Sequence, residues 1–166
     1  MRFAEGINAE LYTPPLYTSP FGYKYSAKVV LGAKGGSGET AQHMAFYIVI
    51  MQGDYDEILQ FPFPYPIKIT LLNMSAGRAD IERTLYPDPA KLHFQKPYKN
   101  MNPAIGFSRF CSHSELTRGG FVREDTIYFR IEILKQGINV NEPNIQPAAL
   151  HLPQLSHHGD DCHMGD

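Results

Sequence analysis

The chain has 166 residues, of which 43% are hydrophobic, and this suits one domain with a substantial core. Its formal net charge of −2 and its lack of any apolar run near the roughly 20 residues of a membrane span argue against nucleic-acid binding and membrane insertion. Cys111 and Cys162 are too few for a disulfide framework or a paired-cysteine zinc site, and the first residues lack a signal-peptide pattern, so we expect a cytoplasmic location.

Short apolar runs separated by glycine and proline predict strands along most of the chain. A weak first strand over 10–18 contains Pro14 and Pro15, which restrict it to a sheet edge or a bulge. The clearest strand signals follow at 25–31, 46–51, 67–72, 105–111 and 126–134. In 126–134 apolar and polar side chains alternate, which is typical of an antiparallel strand with one buried face. Because no strong amphipathic pattern exceeds about two helical turns, the sequence predicts an all-β antiparallel sandwich.

One stretch between two strand signals, GDYDEILQFPFPY at 53–65, has the pattern of a single helical turn. Asp54 is placed to accept hydrogen bonds from the first free N–H groups. Asp56 and Glu57 follow where the helix dipole favours negative charge. The Phe-Pro-Phe-Pro run that comes next prevents the helix from continuing.

Three motifs resemble functional sites, but each lacks an essential part. The loop KGGSGET at 34–40 carries Glu39 where a phosphate-binding loop needs lysine, so we interpret it as a hairpin loop. The residues SHHGDDCHMGD at 156–166 have no spacing that fits a closed zinc site, and we expect no metal there. The SHSEL run at 112–116 forms no triad by itself, since neighbouring strand residues point to opposite faces, and Cys111 suits a core position. We therefore predict a protein that is not an enzyme and needs no cofactor.

Seven short motifs occur in a characteristic order. They are YTSPFGYK (17–24), IMQGDYDEILQFPF (50–63), LYPDP (85–89), FQKP (94–97), GFSRF (106–110), SHSEL (112–116) and FVREDTIYF (121–129). This series, over about residues 9–135, closely resembles the C-terminal domain of the tumour necrosis factor receptor-associated factor family, the TRAF or MATH domain. The resemblance implies an antiparallel sandwich, eight-stranded in the family, with a TRAF/MATH domain at 5–137. It also implies that 53–63 is a connection across one end of the sandwich.

The resemblance leads to further expectations about the connection and the two ends of the domain. Four apolar side chains of the connection are expected to fill the core: Ile58, Leu59, Phe61 and Phe63. The family's first strand, which would precede residue 5, has no counterpart, so the edge of 126–134 should be open and the chain prone to aggregation. Beyond Gly137 the alternation stops and Asn, Pro, Gln and His dominate, which predicts a disordered polar tail over 138–166.

Family members of this kind are adaptors rather than catalysts. The resemblance implies binding of short peptides from receptor cytoplasmic tails, or from other signalling proteins, by addition of a strand to a sheet edge. It also implies association with other TRAF-family chains, as a homotrimer in the full-length context. Two alternatives stay open. A degenerate domain would serve oligomer assembly without binding peptide, and a nucleotide-binding enzyme would use the loop 34–40.

The family's peptide-binding positions fall on eight residues of this chain: Lys28, Val30, Tyr47, Leu92, His93, Phe94, Ile105 and Gly106. The resemblance implies that Lys28 replaces an arginine and attracts an acidic ligand residue, while Val30 replaces a tyrosine and loses its hydroxyl. Leu92 and His93 stand among residues that replace ligand-binding serines. Tyr47 and Phe94 match pocket aromatics, and the last two positions fall where a peptide pairs with the edge strand. We expect a preference for apolar or aromatic ligand residues.

Overall fold

The computed structural model describes residues 9–32, 43–135 and 145–151, which form two antiparallel β-sheets. The strands in chain order are β1 (Ala9–Tyr12), β2 (Leu16–Tyr17), β3 (Lys24–Leu31), β4 (His43–Met51), β5 (Ile67–Leu71), β6 (Ile81–Leu85), β7 (Ile105–Ser112), β8 (Thr126–Ile133) and β9 (Ile145–His151). A 3-10 helix at Leu92–Phe94 and helix α1 at His113–Arg118 are the other regular elements. The predicted all-β antiparallel sandwich is confirmed.

Each sheet has a simple strand order. The first sheet runs β1-β3-β4-β7, with β2 also paired to β3, and the second runs β6-β5-β8-β9. Every pairing is antiparallel. As the prolines between them predict, β1 and β2 are short and lie at a sheet edge. Thr13 ties the segment between β1 and β2 to the sheet, because its hydroxyl accepts a hydrogen bond from the backbone N–H of Ala27 at 3.0 Å.

Inward side chains from both sheets build the core. In β8, Ile127, Phe129 and Ile131 are fully buried, as the alternation predicts. Aromatic rings meet in the middle of the sandwich, where the ring centroid of Phe46 lies 4.6 Å from that of Phe129 and 5.6 Å from that of Phe110. Aromatic pairs at such distances stabilise a core beyond the area they bury. This packing fixes the inner face of the first sheet against the second sheet.

The C-terminal segment Ile145–His151 forms strand β9 along the edge of β8, and this corrects two expectations. Its register with β8 is continuous, and Ala148 and Leu150 are each only 5% exposed. The prediction of a disordered tail over 138–166 is therefore wrong for 145–151, while the rest of that range lies outside the described residues. The prediction of an open edge at 126–134 is wrong as well, because β9 pairs along it.

Residues 54–58 form turns rather than a helix, which corrects the predicted helical turn. The hydrogen bond from the N–H of Asp56 to the carbonyl of Gly53 spans three residues and measures 3.4 Å. Asp56, rather than Asp54, provides the cap, because its Oδ2 accepts a hydrogen bond from the N–H of Gly53 at 3.0 Å. A buried carboxylate therefore closes this turn while Asp54 stays exposed.

Three of the four apolar side chains expected to fill the core from this connection do so. Phe63 is buried, and Leu59 and Phe61 are partly buried against the core. The ring of Tyr23 holds this end together, with ring centroids 5.3 Å from Phe61 and 4.8 Å from Phe63. The prediction is wrong for Ile58, which is 76% exposed because the turn directs its side chain away from the sandwich.

The SHSEL run has a structural role at the end of β7. The Ser112 hydroxyl accepts a hydrogen bond from the N–H of Glu115 at 3.1 Å, and the Glu115 carboxylate accepts one from the N–H of Ser112 at 2.8 Å. This reciprocal capping box begins helix α1 and ties down its first turn. Leu116 then turns into the core. The sequence pattern did not predict this helix.

The remaining motifs fall on parts of the chain that this structure does not describe. The loop 34–40 and the residues 156–166 lie outside the described residues, so the predictions made for them stay predictions. Across the described ranges, no helix is long and apolar enough to cross a membrane. The same residues include no group of three or more His, Cys, Asp or Glu side chains that could hold a metal ion.

Buried ionisable groups make the fold sensitive to alkaline pH. Burial raises the pKa of Tyr23 from 10.0 to about 12 and that of Cys111 from 9.0 to about 12, and it also raises the pKa of Tyr25. Because the unfolded chain ionises first, the stability these groups contribute is complete below about pH 9 and is lost as the pH rises towards about 12. We expect a lower urea midpoint at about pH 11 than at about pH 8, and a smaller difference in Tyr23→Phe. Equal midpoints at both pH values would contradict this.

Candidate functional site

A row of residues crosses the outer face of the first sheet from one edge to the other. Tyr12 of β1 is the register partner of Lys28 in β3. Lys28 is in turn the partner of Tyr47 in β4, and Tyr47 is the partner of Gly106 in β7. Register partners project to the same face of a sheet. Since the neighbouring Val29 is fully buried, this row faces outwards and forms one continuous surface.

The positive charge of Lys28 already has a partner within the chain. Its Nζ lies 3.1 Å from the carboxylate of Glu10 and 5.5 Å from the ring centroid of Tyr12. Burial alone would lower the pKa of Lys28, but its hydrogen bonds to Glu10 and Tyr12 outweigh burial and raise that pKa above its ordinary value. Lys28 therefore stays protonated at neutral pH and is held towards β1.

Val30 and Tyr47 lie on the same outer face and are half-buried. Val30 pairs with Glu10 on one side and with Ala45 on the other. Its side chain offers no hydrogen-bonding group, so the acid and lysine beside it are the polar groups of this part of the face. Tyr47 keeps part of its ring at the surface, where a ligand side chain can pack on it.

The 3-10 helix Leu92–Phe94 presents one side chain to solvent and buries another. Leu92 is 46% exposed, whereas Phe94 is 1% exposed and belongs to the core. The side chain of Phe94 is packed within the core, and its place among the peptide-binding positions stays a prediction. It holds the helix against the sandwich, and its carbonyl accepts a hydrogen bond from the N–H of Phe63 at 2.7 Å.

Asn102 fixes this helix next to the sheet. Its side-chain Nδ2 donates to the carbonyl of His93 at 3.2 Å and to that of Gln95 at 2.7 Å. Its backbone N–H donates to the carbonyl of Ile50 in β4 at 2.8 Å. Asn102 is buried, so these bonds are shielded from water and position Leu92 and His93 reliably.

Strand β7 forms the outer edge of the first sheet, and β4 is its one strand partner in the part of the chain that the structure describes. A register shift between Met44 and Phe46 puts a β-bulge into this pair. Ile105 and Gly106 lie before the bulge and are half-buried. A Cβ atom on Gly106 would overlap the carbonyl oxygen of Phe46 and lie 2.8 Å from the Cα of Tyr47. Only glycine allows this close approach.

The outward row and the residues beside it are together called the groove. It comprises Tyr12, Lys28, Tyr47 and Gly106 of the row, Val30 on the same face, Leu92 and His93 of the 3-10 helix, and the backbone of Ile105 at the β7 edge. The side chain of Ile105 packs against the core, because its register partner is the buried Ile48. An unpaired strand edge, two tyrosine rings and an exposed leucine can hold an extended chain by main-chain hydrogen bonds and apolar contacts.

A cavity of about 500 Å³ lies elsewhere on the surface. Its walls are formed by Pro15, Leu16, Tyr17, Ser19, Pro20, Asp54 and Tyr55. None of the groove residues contributes to it. Strand addition uses a sheet edge rather than a cavity, so an extended peptide can bind at the groove without using this cavity.

The candidate nucleophiles of the sequence serve the fold instead. Burial raises the pKa of the Cys111 thiol to about 12, so the reactive thiolate is absent at neutral pH. Ser112 and Glu115 hydrogen-bond to each other in the capping box, where the Ser112 Oγ lies 2.7 Å from the Glu115 carboxylate. Neither arrangement activates a nucleophile.

Sequence reasoning missed Glu10, Tyr12 and Asn102. Glu10 and Tyr12 lie in a strand that could be predicted only weakly because of the neighbouring prolines. Their register against β3 is a tertiary feature. Asn102 lies between elements, where the polar character typical of loops gives no signal of a buried anchor.

The chain was compared with known families and proteins. A family model described as TRAF/meprin, MATH domain matches residues 8–130. TNF receptor-associated factor 5 of Mus musculus is 33% identical over 131 residues, which cover 78% of this chain and 23% of the relative. TNF receptor-associated factor 2 of Homo sapiens is 31% identical over 121 residues, which cover 72% of this chain and 24% of the relative. The chain thus spans about a quarter of the length of these curated relatives.

A solved structure agrees with these matches. The structure of Notothenia coriiceps TRAF5 superposes with a TM-score of 0.70 at 31% identity, over 79% of this chain and 65% of the solved one. The matched range 8–130 contains strands β1 to β7, helix α1 and most of β8. Sequence and fold therefore agree that the chain belongs to the TRAF/meprin MATH domain family.

Proposed function

We propose that this chain is a signalling adaptor module that binds short linear peptides from receptor cytoplasmic tails by adding them as a strand to β7. The observation that carries the proposal is the edge of β7, which no other described strand pairs with and which lies at the end of the outward-facing row from Tyr12 to Gly106. Family membership supports an adaptor role rather than catalysis, and the printed names of the relatives associate them with the TNF receptor. Such a role places the domain in the cytoplasm.

The main chain and the side chains of the groove have different roles in binding. Backbone groups of β7 around Ile105 and Gly106 supply hydrogen bonds that any extended peptide can use, so they contribute affinity without selectivity. Tyr47 and Leu92 supply apolar surface, while Val30 provides no hydroxyl to bind a polar ligand residue. The groove therefore favours a peptide with an apolar or aromatic side chain, and each neutral hydrogen bond it forgoes costs on the order of 0.5–1.5 kcal/mol.

A single groove of this kind binds weakly, and useful affinity comes from several copies acting together. Linked copies raise the apparent affinity by a factor of about 10²–10⁴ when their ligands are also clustered. We therefore propose that the domain works beside other TRAF-family chains, as a homotrimer in the full-length context.

Titration of the protein with fluorescent decapeptides, chosen from an array of receptor-tail sequences, tests the groove. Leu92→Glu places a charge on its exposed apolar surface and should weaken binding about tenfold, because about 1.4 kcal/mol of apolar contact is lost. Ile58→Glu is the matched control, since Ile58 is exposed and lies outside the groove. Equal loss in both variants, or no binding by the parent protein, would overturn the proposal.

A second candidate function, self-assembly without peptide binding, is favoured by an exposed apolar patch at one end of the sandwich. Phe21 is 64% exposed and packs edge-on against Tyr55 at a ring centroid distance of 5.2 Å, and Ile58 lies on the same turn as Tyr55. Such patches commonly mark protein interfaces. The same Ile58→Glu sample distinguishes the candidates in sedimentation velocity: self-assembly requires the parent protein to associate and this variant to dissociate.

A further inference from the structure

We infer that Glu10 determines which ligand residue the groove accepts next to Lys28. By holding the lysine's charge, Glu10 removes the advantage of an acidic ligand side chain and leaves the position to a neutral or aromatic one. This inference rests on the proposed function and names the class of peptide that the groove selects.

The geometry makes Glu10 and Lys28 a preformed pair. They lie on the adjacent strands β1 and β3, one diagonal step apart, because Glu10 is the register partner of Val30 and Tyr12 that of Lys28. Diagonal neighbours on one face are within reach of long side chains. The carboxylate of Glu10 lies 3.1 Å from Nζ, and the Lys28 side chain is only 18% exposed. An ion pair with one partly buried partner is screened less by salt than a fully exposed ion pair.

An incoming carboxylate gains little at this position. It must either separate Glu10 from Lys28 or share the lysine with it, and sharing places two like charges next to each other. An aromatic or neutral ligand residue meets no such conflict. It can pack on the rings of Tyr12 and Tyr47, which lie on either side of Lys28 in the row, while the ion pair stays intact.

The position of the row lets a ligand on β7 reach this pair. Neighbouring strands are about 4.8 Å apart, so Lys28 lies about 10 Å from Gly106 across the sheet. Gly106 adds no side chain between the edge and Tyr47, so a long ligand side chain can extend over it towards Lys28. The lysine's own stem covers the rest of this distance.

The test uses matched pairs of fluorescent receptor-tail decapeptides that differ only by Glu or Gln at one position. We expect the parent protein to bind both members of a pair with equal affinity, within about twofold. In Glu10→Gln the lysine is released, and the Glu peptide of at least one pair should bind about three- to tenfold more tightly than its Gln partner. This preference should shrink as salt is raised from about 0.05 to about 0.5 M, and it should vanish in Glu10→Gln/Lys28→Gln.

Each outcome separates the inference from the function on which it rests. Peptide binding with no change in Glu/Gln preference in Glu10→Gln would overturn the inference and leave the peptide-binding function standing. A parent protein that already prefers the Glu peptide would overturn it too. Absence of binding by the parent and by every variant would overturn both the inference and the peptide-binding function. Thermal melts of the variants confirm folding, and Glu10 is half exposed, so its replacement by glutamine should leave the melting temperature unchanged.

Discussion

Replacing Leu150 by alanine is expected to lower the free energy of unfolding by about 2–5 kcal/mol. Leu150 lies in β9 and is 5% exposed, although its segment has the composition of a polar tail. The substitution removes buried apolar surface and leaves a cavity between β9 and the core. It also weakens the strand that covers the edge of β8. Urea denaturation followed by circular dichroism measures the change.

Ala149→Ser is the matched control for this experiment. Ala149 is exposed in the same strand, so the change should stay within about 0.5 kcal/mol. Equal, small effects of both substitutions would show that β9 adds no stability. A large effect of Leu150→Ala alone would show that the domain includes this strand, and light scattering should then reveal whether the uncovered β8 edge promotes aggregation.

Replacing Gly106 by alanine should both destabilise the fold and abolish peptide binding. The added Cβ would overlap the carbonyl oxygen of Phe46 and lie 2.8 Å from the Cα of Tyr47, so β7 must move away from β4. Forced overpacking of this kind costs about 1–3 kcal/mol, and more when the obstacle is backbone. Because the obstacle here is the main chain of β4, no side-chain rotation can relieve it.

The functional consequence follows from the position of Gly106. It belongs to the edge to which a peptide would add, so a displaced β7 presents its N–H and C=O groups at the wrong distance from the rest of the groove. Ser108→Ala is the control, because Ser108 is exposed on the same strand, in the irregular stretch that follows Phe107. Urea melts and peptide titrations of both variants give the two measurements. A Gly106→Ala protein with parental stability and affinity would contradict the geometry of the β4–β7 pair.

The groove offers a ligand few charged or hydrogen-bonding side chains. Lys28 stays charged but is paired with Glu10, and Val30 offers no hydrogen bond. We therefore propose that apolar contacts with Tyr47 and Leu92 are the main source of side-chain selectivity. The chain shares the fold of its family, and we propose that its groove prefers a neutral or aromatic ligand residue beside Lys28 to the acidic one that the resemblance implies.

Much of the sandwich could be predicted from the sequence because its signals are local. The strand 126–134 alternates apolar and polar residues, and this pattern requires one buried face whatever lies opposite. The prolines at 14 and 15 likewise restricted the first strand to an edge without knowledge of its partner. The ordered motifs identified the family, and hence the positions of Tyr47, Leu92 and Gly106 in a candidate groove.

Other features were decided only by tertiary structure, because they depend on what a segment meets in space. The residues 145–151 have no strong strand pattern, yet they form β9 because β8 offers an unpaired edge and the core accepts Ala148 and Leu150. The pair of Glu10 and Lys28 depends on the register between two strands that are not consecutive in the chain. Local propensity describes how a segment can fold by itself, whereas pairing and charge neutralisation are properties of two segments together.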